Sequence, residues 1–146
     1  MTEAERPPLN LRAGFLALFV FAAIGLMLEA LHGFKLGFYL DVDQETRRLL
    51  WRLGHAHGTL LGLLNVGYAL AAKAWPQLAD RLAERALLTA LWLMPLGFLL
   101  GGAFAKGGDP GVSVALAAAG GVALLFGLGR VAWCAGSRRP SGPKAD

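Results

Sequence analysis

Glu29, His32, His55 and His57, with Arg52 at their edge, are the ionisable side chains that interrupt otherwise apolar stretches of this chain, and they include all 3 of its histidines. Ionisable groups inside a bilayer are costly, so they tend to be paired or to mark a site. Three chemistries suit this set. The first is haem: a neutral imidazole on a helix is a common axial ligand to its iron. His57 would be one ligand and His32 or His55 the other, with Arg48 and Arg52 meeting the propionates of a haem b. The second is a transition metal (zinc, copper or iron) held by His32, His55, His57 and Glu29. The third is proton handling by a carboxylate beside imidazoles. Against these stands a plain alternative. Glu29, His32, His55 and Arg52 satisfy one another as a buried polar network between two helices, and no cofactor is bound.

The elements that position these residues are long apolar helices. The chain has 146 residues, of which 55% are hydrophobic, and a mean hydropathy of +0.50. Its charges gather near the N-terminus, at 41–52, at 73–85 and near the C-terminus. The runs between them are long enough to cross ~30 Å of hydrocarbon as helices. The expected fold is all-α: a four-transmembrane-helix up-down bundle, with helices over about 13–40, 43–74, 83–104 and 112–135. A cytoplasmic tail over 1–12 precedes them, and a disordered tail over 136–146 follows. Asp43 suits an N-cap for the second helix. Met94-Pro95 predicts a kink in the third, and Gly107-Gly108-Asp109-Pro110-Gly111 a turn before the fourth.

A hairpin of the first two helices turning near Val42 sets Glu29 level with His55, His32 with Arg52, and His57 with Met27. That layer lies roughly 15–20 Å from the hairpin end, toward the outer face. Glu29 and His32 share a helix face. His55 and His57 lie about 200° apart around an ideal helix. Both can face one small centre only if the helix is distorted, which Gly54 and Gly58 would permit.

The 14 basic residues fix an orientation. Arg6, Arg12, Lys73, Arg81, Arg85, Arg130, Arg138, Arg139 and Lys144 fall on one side. Lys35, Arg47, Arg48, Arg52 and Lys106 fall on the other. The positive-inside rule then puts both termini in the cytoplasm. The net charge of +4 is accounted for by these loops and by anionic headgroups, so no nucleic-acid partner is expected. The single cysteine, Cys134, excludes an internal disulfide. Gly54, Gly58 and Gly62 repeat at a spacing that lets helix backbones approach. They are the expected contact with the chain's own helices, a second copy or a membrane protein partner. Asn65 is expected to form an interhelical hydrogen bond, and Arg130 to snorkel to the interface.

The segment His55-Ala56-His57-Gly58-Thr59-Leu60-Leu61-Gly62 resembles two families. Ala56-His57-Gly58 is similar to the second helix of haem–copper oxidase subunit I, which implies His57 as a haem ligand. His55, Gly58 and Gly62 resemble the His-x-Glu-Gly-x-x-x-Gly pattern of the small bacterial four-helix hydroxylaminobenzene mutases, with His57 in place of the Glu. That likeness implies a bacterial cytoplasmic membrane and, as a further alternative, an isomerase-like enzyme. The leading expectation is haem or metal binding for electron transfer or small-molecule redox chemistry. The runner-up is a non-catalytic membrane protein whose polar cluster is structural.

Overall fold

The computed structural model describes residues 7–40, 45–106 and 108–137. The cap expected at Asp43 and most of both tails lie outside the described residues. Helices follow the apolar runs in the order α1 (Leu9–Gly33), α2 (Gly37–Leu40), α3 (Glu45–Ala74), α4 (Arg81–Ala103) and α5 (Ala115–Gly136). Single 3-10 turns at Pro76–Leu78 and Val112–Val114 precede α4 and α5. Among the described residues, three stretches are long and apolar enough to cross a membrane: Leu9–Gly33, Arg81–Ala103 and Val112–Gly136. The 30-residue α3 is not among them, because Arg47, Arg48, Arg52, His55, His57 and Asn65 lower its hydropathy.

The first helix departs from expectation at both ends. It starts at Leu9, inside the segment expected to be a tail, and stops at Gly33 instead of reaching residue 40. The stop is local. Gly33 and Gly37 weaken the helix, and Lys35 turns into the left-handed region with φ 52°. The Phe34 amide closes on the Ala30 carbonyl, and the Leu36 amide on that of Leu31. Asp80, whose carboxylate accepts from the Ala83 amide at 2.8 Å, caps α4 two residues earlier than expected. That helix continues unbroken through Pro95.

α1 and α3 run antiparallel, α3 packs on α4, and α4 on α5, whereas α1 and α5 do not approach each other. Their shared core is Ala17, Phe21, Leu61, Leu91, Met94 and Ala117. Glycine sets the spacing of α1 and α3. A Cβ at Gly14 would lie 2.7 Å from the Gly62 carbonyl oxygen. The expected glycine face of α3 is therefore consumed inside the chain. Gly54 packs on Leu99 and Pro95 of α4, Gly58 on Phe21, and Gly62 on Gly14 and Leu18. The reading of Gly54, Gly58 and Gly62 as a surface for a partner or second copy is corrected accordingly.

Candidate functional site

Between the end of α1 and the start of α3 lies an open groove of about 920 Å³. Glu29 and His32 line it from α1, Tyr39 from α2, and Arg48, Arg52 and His55 from α3. Leu26, Leu28, Leu49 and Leu53 give it apolar walls. Glu29, His32 and Arg52 are exposed, and His55 is half-buried.

The register of the hairpin differs from the expected one by about a turn. His55 lies beside Gly25, not Glu29, and only a glycine there leaves room for its ring. The cause is the early end of α1, which hands residues 34–40 to a separate turn and short helix. His55 therefore sits deeper than the Glu29 level. Its Nδ1 is 2.7 Å from the Phe21 carbonyl oxygen. A carbonyl can only accept, so Nδ1 carries a proton and donates it to this bond.

His57 does not join the groove. α3 stays helical through both histidines, so they point apart as an ideal helix requires. The His57 Nδ1 donates to the Leu53 carbonyl at 2.8 Å, and its ring meets Phe98 of α4 with centroids 4.9 Å apart. Among the described residues, no group of three or more His, Cys, Asp or Glu side chains could hold a metal ion. Glu29, His32, His55 and His57 are thus not brought together around one point that could hold zinc, copper or iron.

The groove's upper rim is braced. Arg48 donates to the Tyr39 carbonyl at 3.0 Å. Tyr39, 2% exposed, stacks on Trp51 at 6.3 Å. Trp51 in turn donates to the Leu99 carbonyl of α4 at 3.1 Å. Tyr39 carried no sequence signal, because nothing in its spacing distinguishes it from an interfacial aromatic.

A second polar group sits at the other end of the helices, and sequence reasoning caught only part of it. Asn65 makes the interhelical bond expected of it. Its Oδ1 accepts from Asn10 at 2.7 Å, and its amide donates to the Leu61 carbonyl at 2.9 Å. Asn10, which falls in the expected tail over 1–12, is 1% exposed. Its signal was the apolar context Leu9-Asn10-Leu11. Arg130 does not simply snorkel. It pairs with Asp80 at 2.6 Å, while the Tyr68 hydroxyl donates to the Asp80 carbonyl at 3.1 Å. The Arg130 guanidinium, followed by the Ala83 amide, holds the Asp80 carboxyl below the usual carboxylate range.

No protein-family model, curated protein or solved structure matches this chain.

Proposed function

We propose that this chain is an integral membrane protein that crosses the bilayer four times with both termini cytoplasmic. In this reading the α1–α3 groove binds haem b for electron transfer or small-molecule redox chemistry. The fourth crossing is α3. It lies antiparallel along α1 from the Asn10–Asn65 contact to the Gly25–His55 contact. Because it is shielded by α1 and α4, it needs less hydropathy than a lipid-facing helix. At ~1.5 Å per residue it is ~45 Å long, so its arginine-bearing start projects past the hydrocarbon. Single cysteines placed at Thr46 and at Gln77, in a Cys134→Ser background, should label from opposite sides of the membrane. Labelling from one side would remove the fourth crossing.

His55 carries the haem reading. A bare ion asks for three or more protein donors, which the described residues do not gather. A porphyrin brings four nitrogens of its own and asks the protein for one or two. With Nδ1 the donor, a neutral His55 would present Nε2 to the iron, in a groove whose lining also includes Arg48 and Arg52. Its Nδ1–H bond to the Phe21 carbonyl would hold the ring in place, as such a bond commonly does for a ligating imidazole. His32, on the α1 wall, is the candidate for the second axial position. Protein purified in mild detergent and offered haem should show a Soret band and a reduced α-band near one haem per chain. A colourless protein after that treatment would sink the proposal.

One observation favours the structural alternative. His55 already ties α3 to α1 through Phe21 and fills the notch at Gly25. On that reading His55→Ala loses stability and no chromophore is ever present.

A further inference from the structure

We propose that the cavity at the Asn10 end of α1, α3 and α4 binds the phosphodiester of a membrane glycerophospholipid. This inference rests on the membrane reading and is independent of haem. The cavity has a volume of about 480 Å³, and its lining includes Asn10, Tyr68, Lys73, Asp80, Arg81 and Glu84. It sits where α1 and α4, both long and apolar enough to cross a membrane, begin, which is the depth of lipid headgroups.

Charge points to the ligand. Asp80 is neutralised by Arg130, the one ion pair among the described residues. Lys73 and Arg81 are both exposed and have no hydrogen bond or ion pair within the described structure. With Glu84 the remaining carboxylate, the lining keeps a net positive charge. The Asn10 amide is spent on Asn65 and the Glu84 carbonyl, and the Tyr68 hydroxyl on the Leu78 and Asp80 carbonyls, so the donors left for a ligand are those of Lys73 and Arg81. Two cations at the edge of this cavity suit a phosphate monoanion anchored by its own acyl chains in the adjoining bilayer.

The test is native mass spectrometry of the full chain released from bilayers. Phosphatidylglycerol, phosphatidylethanolamine and a phosphate-free galactolipid are offered in equal amounts. Both phospholipids should be retained and the galactolipid lost. Lys73→Gln with Arg81→Gln should cut retention about thirtyfold. Lys73→Arg with Arg81→Lys should restore it, which separates binding from folding. Arg12→Gln with Arg85→Gln, the same charge change outside the cavity, should leave retention intact. Equal loss in both double Gln variants, or equal retention of the galactolipid, would overturn the proposal. Competition by inorganic phosphate alone would overturn the lipid as its source.

Discussion

At the Asn10 end of the helices, polar side chains are spent on one another: Asn10 on Asn65, Tyr68 on the Asp80 carbonyl, Asp80 on Arg130. At the Glu29 end, Glu29, His32 and Arg52 line an open groove and are exposed. Both regions place ionisable or amide groups among apolar helices. In one, hydrogen bonds close helix against helix. In the other, α1 ends early, α2 turns aside, and the space left between α1 and α3 stays open. Burial with partners marks a structural polar group. Exposure in a groove between braced helices leaves room for the haem proposed there, as exposure of Lys73 and Arg81 does for the phosphate proposed at the other end.

The largest expected effect breaks the comparison at its structural end. Gly14→Leu drives a side chain into the Gly62 backbone, and should cost about 3 kcal/mol or more. Gly67→Leu, where a Cβ meets open space, should leave thermal stability in detergent unchanged. Next is Asn65→Ala. It leaves the buried Asn10 amide with only its longer 3.4 Å bond to the Glu84 carbonyl and should cost about 1–3 kcal/mol. Asp80→Ala removes the α4 cap and should cost about 1 kcal/mol. The Asp80 pair also has a pH signature. Its carboxyl is held low in the folded state, so its stabilisation is present above the ordinary carboxylate range. It is lost as pH falls through the lowered value. Asp80→Asn, which keeps a capping oxygen, should flatten the acid limb of a stability–pH curve. The smallest effects belong to the groove. Glu29→Gln, His32→Ala and Arg52→Ala should each shift stability within about 0.5 kcal/mol. A loss as large as that of Asn65→Ala would mean the groove residues are structural after all.

The long helices were legible because apolar runs of spanning length have few folds open to them. Antiparallel pairing puts Glu29, His32, Arg52 and His55 along one groove, but the single layer expected for them does not form, because His55 lies beside Gly25. The register was not legible, because it depends on where α1 stops, and Lys35 at positive φ leaves no trace in a sequence. The separation of His55 from His57 followed from helix geometry, but which of them faces the groove did not. That choice is made by Gly25 on one side of α3 and Phe98 on the other. Asn10 was lost to a boundary drawn by charge: Arg12 looked like the end of a tail, and the helix had already begun at Leu9.

The central claim is tested most directly by haem titration of purified wild type, His55→Ala and His57→Ala, read as the Soret shift on binding. The account predicts one tight site in wild type, its loss in His55→Ala, and its retention in His57→Ala. Loss of the spectrum in His57→Ala with retention in His55→Ala would contradict it and move the site to the α4 side of α3.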